Sequence, residues 1–121
     1  MQEFKGTPGP WVVMNTADIF TNLGAKNSEG IEASRNDGWH VADCDMGGLR
    51  LDEVAANAHL IAAAPDLLEA LRISRDYVTA DLEHRKQAFA GYPQKWETEE
   101  RDLAAIDAAI AKALNTDTTE R

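Results

Sequence analysis

Cysteine is almost missing from this chain of 121 residues, where Cys44 stands alone. One thiol excludes an internal disulfide and a four-cysteine zinc site, and it fits a reducing compartment. Long apolar runs are missing as well. The longest, "LIAAA" before Pro65, falls far short of the roughly 20 residues a membrane-spanning helix needs. The opening "QEFKGTPGPW" carries no apolar segment of the kind a secretory signal requires. The expectation is a soluble, intracellular protein with no membrane association.

Positive charge is scarce. Lys and Arg number 12 against 21 Asp and Glu, a net charge of −9. Binding to a nucleic-acid backbone needs a basic stripe that releases counterions, so direct nucleic-acid binding is not expected. An acidic surface suits a basic protein partner or imitates a phosphate backbone, and it also keeps a small protein soluble.

The usual catalytic signatures are absent too: no HExxH, no GxSxG and no GxxxxGK[ST] occurs. Cys44 has His40 nearby but lacks a third group to orient that base. His40, Asp43, Cys44 and Asp45 are the densest set of potential metal ligands, yet their spacing follows no standard zinc pattern. No catalytic residue, no metal and no cofactor is therefore assigned, and the chain reads as a non-enzyme.

What remains is enough for one modest core. Hydrophobic residues make up 44% of the chain, in the range of an ordinary globular domain. A single domain over residues 1–121 is expected, with residues 1–9 flexible, a β part over 10–46, a helical part over 52–114 and a frayed tail over 115–121. "WVVM" (11–14), "DIF" (18–20), "IEAS" (31–34) and "WHVADC" (39–44) have strand composition, and "KNSEG" (26–30) and "RNDG" (35–38) are turn clusters. Three or four short antiparallel strands are expected from them.

Gly47 and Gly48 then break the strand pattern, and Asp52 is the expected N-cap of a helix running to about Ala63. Pro65 is expected to break or sharply kink the chain. A second helix with Leu67, Leu68, Leu71, Val78 and Leu82 buried should end before "AGYP" (90–93). A third should start near Glu97 and bury Leu103, Ile106, Ile110 and Leu114. The fold class is thus α+β: a small N-terminal antiparallel sheet followed by two or three C-terminal helices. Ala62, Ala63 and Ala64 suit a helix lying close under a sheet or against a twin subunit, and a homo-oligomer is expected.

Candidate binding residues gather around the junction of the two parts. Arg50 follows the glycine pair, which can bare backbone N–H groups to an anion at a helix start. Asn57 is a poor helix former in an alanine-rich helix, and its amide can read or pin a polar edge. Trp11, Trp39, Tyr92 and Trp96 are the rings available for stacking or core packing.

"TPGPW", "VADCDMGG" and "ANAHLIAAAPDLLEAL" together resemble a widespread family of small phage and prophage proteins, over residues 7 to about 72. Membership implies an accessory protein acting inside an infected bacterium. In outline, a small sheet followed by helices is also similar to the phage sponge proteins that sequester cyclic nucleotide-type signals. The leading expectation is a non-catalytic counter-defence protein that binds and sequesters a small nucleotide immune signal at an oligomer interface. Trp39 would stack, Arg50 would meet phosphate, and Asn57 with His59 would supply polar recognition. An alternative is an acidic inhibitor of a host defence nuclease or regulator, comparable to an anti-CRISPR protein or a DNA mimic, with Glu97, Glu99, Glu100 and Asp102 as contacts. A phage housekeeping protein without a ligand is the third reading.

Overall fold

A computed structural model describes residues 3–22, 24–33 and 38–116. It is α+β: three short strands, β1 (Trp11–Met14), β2 (Asp18–Thr21) and β3 (His40–Asp43), precede three helices, α1 (Leu51–Ala62), α2 (Ala64–Ala88) and α3 (Glu97–Leu114), with a 3-10 turn over Pro93–Lys95. The described residues divide into two compact units, one formed by Lys5–Leu67 and the other by the chain from Leu68 on together with Glu3 and Phe4.

In the first unit the strands form an antiparallel sheet in the order β1-β2-β3. β1 and β2 are joined by a tight connection in which Asn15 and Thr16 both take positive φ, 54° and 70°. The register pairs Trp11 with Thr21 and Val13 with Ile19. Ile19 in turn pairs with Ala42, whereas Phe20 pairs with His40. Val41 is the extra residue of this irregularity, which interrupts the simple alternation of β3.

The core lies on one face of this sheet. Ile19 and Thr21 are buried there, and α1 packs across β1 and β2. Val54, Ala58 and Ala62, four residues apart, are the buried residues of α1, one face of a helix. Two of the three are alanines, so the helix approaches the strands closely. Thr21 fastens the far edge: its Oγ1 accepts the backbone N–H of Trp39 at 2.8 Å, and its own N–H donates to the Trp39 carbonyl at 2.9 Å. Gly38 has φ +74°, and a Cβ there would stand 2.5 Å from the Thr21 carbonyl oxygen and 2.6 Å from Thr21 Oγ1. Only glycine permits that approach.

Some expected elements differ. "IEAS" forms no strand over its described residues. Glu32 makes one isolated bridge to Lys26, because the Asn27 side chain takes the N–H groups of Glu29 and Ile31 and curls the segment into a turn. Ser34 and three residues of "RNDG" lie outside the described residues, as do 117–121 of the tail.

Helix α1 starts two residues earlier than the expected cap at Asp52, with Arg50 at the N-cap and no side-chain cap. Asp52 is inside the first turn, bonded to the N–H of Glu53 and to Arg50. Pro65 is the second residue of α2, where its missing N–H costs no hydrogen bond. Ala63 alone separates the two helices, and its carbonyl accepts the Leu67 N–H at 2.8 Å. Gly9 lies against Pro65, where an added Cβ would be 2.7 Å from the proline Cβ.

The second unit contains an antiparallel hairpin of α2 and α3. Arg75 pairs with Asp107, Arg85 with Glu99 at 3.4 Å and Lys86 with Glu100 at 3.4 Å. Residue numbers that fall on one helix while rising on the other define the antiparallel sense. Leu82 and Ile110 are buried, with Leu68, Leu71, Val78, Leu103, Ile106 and Leu114 half-buried. Leu67 is 46% exposed. It is the last residue of the first unit, whereas the hairpin stripe begins at Leu68.

Candidate functional site

A concavity of the first unit opens where the end of β3 passes α1. It is an open groove of about 390 Å³ lined by Ala42, Asp43, Cys44, Asn57, Leu60 and Ile61. Its origin is simple. Val54, Ala58 and Ala62 turn α1 onto the sheet, and the neighbouring flank of the helix carries Asn57, Leu60 and Ile61 beside β3. Leu60 is 65% exposed, an apolar side chain held at the margin of an apolar floor. Opposite it, the Asp43 carboxylate accepts the Asp45 N–H at 2.9 Å, a local turn that ends β3. β3 pairs with β2 on one edge, and among the described residues no strand pairs with its other edge.

The residues singled out from sequence are distributed over this unit. Asn57 lines the groove. His59 is two positions further along α1, about 200° around the helix, and is exposed on the opposite flank. Arg50 is at the helix N-terminus, ion-paired with Asp52 at 3.3 Å and strongly exposed, and it is not among the groove residues. Trp39 is half-buried beside Thr21, and its indole Nε1 is buried without a hydrogen-bond partner among the described residues. Trp11 is different: its Nε1 donates to the Thr7 carbonyl at 3.3 Å.

Of the potential metal ligands, His40 lies beside the Phe20 ring, centroids 4.7 Å apart, with Nε2 3.3 Å from Asp18 Oδ1. Among the described residues no three His, Cys, Asp or Glu side chains converge as a metal site.

The acidic residues of α3 are partly engaged inside the hairpin. Glu99 and Glu100 face Arg85 and Lys86 of α2, while Glu97 and Asp102 remain exposed. The Arg85 guanidinium also bonds Asp81 at 2.9 Å. Its pKa is raised by that hydrogen bond and by the nearby charges of Asp81 and Glu99, so this cation is fixed. No described helix is long and apolar enough to cross a membrane.

A family model for Salmonella phage P22 protein Y8K6 matches residues 1–117. The chain belongs to this phage protein family. The match extends the resemblance well beyond the segment 7–72 and takes in the rest of α2 and all of α3, where the chain beyond Arg75 carries no recognisable marker. No curated protein and no solved structure matches the chain. Within this phage protein the residues that sequence reasoning passed over are Leu60 and Ile61. Their signal was present in the helical register: with Val54, Ala58 and Ala62 taken as the sheet-facing row, Asn57, Leu60 and Ile61 fall on an adjoining flank.

Proposed function

We propose that the chain is a non-catalytic phage accessory protein that acts by docking on another protein in the infected bacterium, through the groove between β3 and α1. The observation that carries this reading is the groove's chemistry. Leu60, Ile61 and Ala42 supply an apolar floor beside an open strand edge, and Asp43 supplies the charge at its rim. An extended segment that adds to the outer edge of β3 seats an apolar side chain in such a groove, and a Lys or Arg on that segment meets Asp43. Sequestration of a nucleotide signal fits less well. A phosphate needs a cation or a ring of donors, whereas the groove lining offers a carboxylate, and Asn57 and His59 face opposite sides of α1.

Two measurements test this. Native mass spectrometry of the protein with a panel of cyclic nucleotides and ADP-ribose derivatives should show no added mass. One intact compound gained per chain would replace docking with sequestration, and a compound returned chemically altered would make the protein an enzyme. Cys44, the only cysteine, lines the groove and accepts a thiol-linked benzophenone. Photolysis in extracts of infected cells should cross-link a discrete protein, and Leu60→Asp should abolish the product. Cross-linking that is diffuse, or indifferent to Leu60→Asp, removes the groove as the docking site.

A further inference from the structure

Helix α2 carries two apolar stripes, and only one of them faces α3. Leu71, Val78 and Leu82 form the inner stripe. Ala70, Ile73, Tyr77, Ala80 and His84 recur at alternating steps of three and four on another side of the helix, about 140° away. All five are exposed, Ile73 by 51% and Tyr77 by 75%. This is the a/d spacing of a two-helix seam, sustained for about 21 Å along the axis.

Its margins are charged with one sign. Glu69, Asp76 and Glu83 stand seven residues apart along one side, and Ser74, Asp81 and Ala88 occupy the equivalent places on the other. Neither margin carries a Lys or Arg at these positions, and the one acid of the second margin is already bonded by Arg85.

Flanking charges decide what such a seam accepts. A second copy is a poor occupant. Laid antiparallel, it sets the Glu69, Asp76, Glu83 margin against itself. Laid parallel, it opposes those acids with Ser74, Asp81 and Ala88. No cation is supplied either way, and each chain adds its net charge of −9.

We propose that the outer face of α2 is a docking seam for a basic amphipathic helix of a partner protein, with Lys or Arg opposite Glu69, Asp76 and Glu83. Ala70 and Ala80 let large apolar residues of the partner sit close to the α2 backbone, while Ile73 and Tyr77 are the knobs between them. This surface is separate from the β3–α1 groove and stands or falls without it.

The test uses the full chain and synthetic helical peptides of about four heptads, with Leu at a and d and Lys at e and g. One control carries Glu at e and g, and another has the a and d residues scrambled at unchanged composition. The Lys peptide should bind, and its amide chemical-shift changes should centre on residues 69–84. The Glu and scrambled peptides should bind about tenfold more weakly or worse, a difference of about 1.4 kcal/mol.

Ile73→Ser with Tyr77→Ser, both at exposed positions, should remove a similar factor. Leu60→Asp should leave this binding unchanged. Equal binding of the scrambled peptide, shifts away from α2, or indifference to the Ser substitutions overturns the seam. Sedimentation that shows a wild-type dimer made monomeric by the same substitutions assigns the face to a second copy and overturns the basic partner.

Discussion

Thr21→Val isolates the bond that closes the sheet edge. Thr21 is 1% exposed, so the valine keeps the shape of the buried side chain and removes only its hydroxyl. The Trp39 backbone N–H then loses its acceptor at 2.8 Å. The bond is part-buried, and Gly38 is packed so tightly here that an added Cβ would stand 2.5–2.7 Å from Thr21 and Asn22 oxygens, which leaves little room for a replacing water. A buried donor without a partner costs about 1–3 kcal/mol. Thr21→Ser keeps the acceptor and loses one methyl group, about 0.8 kcal/mol of burial. Stability should therefore fall in the order wild type, Thr21→Ser, Thr21→Val, with each kcal/mol lowering the midpoint of a small domain by about 4–8 °C. The two units need not unfold together, so the cleaner assay is amide hydrogen exchange at Trp39, read with thermal unfolding. Exchange at Trp39 that is unchanged in Thr21→Val, or a valine variant as stable as the serine one, would refute the reasoning.

Four further changes probe the remaining packing, all read by urea or thermal unfolding. Gly38→Ala should cost about 2 kcal/mol or more, since a left-handed φ is unfavourable by about 1–2 kcal/mol for a residue with a Cβ and the new methyl meets backbone oxygen; a neutral result would disprove the close approach. Ala58→Leu should destabilise by about 1–3 kcal/mol by forcing α1 off the sheet, and a gain in stability would mean that space exists there. Thr79→Val should stabilise the hairpin by about 1 kcal/mol, because its buried hydroxyl has no partner among the described residues; a loss would point to a bonded hydroxyl. A double-mutant cycle on Arg75 and Asp107, a half-exposed pair, should return a coupling of about 0.2–1 kcal/mol that fades with salt.

The elements were legible where periodicity was strong. Leu103, Ile106, Ile110 and Leu114 mark the inner face of α3 without ambiguity, and "WVVM" and "DIF" mark β1 and β2. Legibility failed where a side chain competes with the backbone. Asn27 draws the chain ahead of "IEAS" into a turn, and Asp52 spends its carboxylate on Glu53 and Arg50 in place of capping. The site was harder to read, because a groove depends on which flank of α1 faces β3. Residue type favoured Arg50, Asn57 and His59 as a group. Helical geometry puts Asn57 and His59 on opposite sides, and a neighbouring acid occupies Arg50. The outer stripe of α2 was hidden for a related reason. Leu67, Leu68 and Leu71 dominate any reading of that helix, and the alanines of the second seam look like neutral filler.

The distribution of side-chain size bears on function more than any single motif does. The buried face of α1 is Val54, Ala58 and Ala62, whereas Leu60 on its flank is 65% exposed. On α2 the side turned away from α3 holds Ile73 and Tyr77, both at least half exposed. Each large side chain left outside forgoes the roughly 1.5–3 kcal/mol that full burial would supply. Isolated exposed apolar residues are ordinary, but rows of them at helical spacing beside acidic margins are not. The small residues bring the helices close to their own neighbours and leave the large ones outside, and the proposed docking rests on that exposure. The net negative charge then works with that arrangement. On the proposed reading it disfavours self-association along the same rows and favours a basic partner.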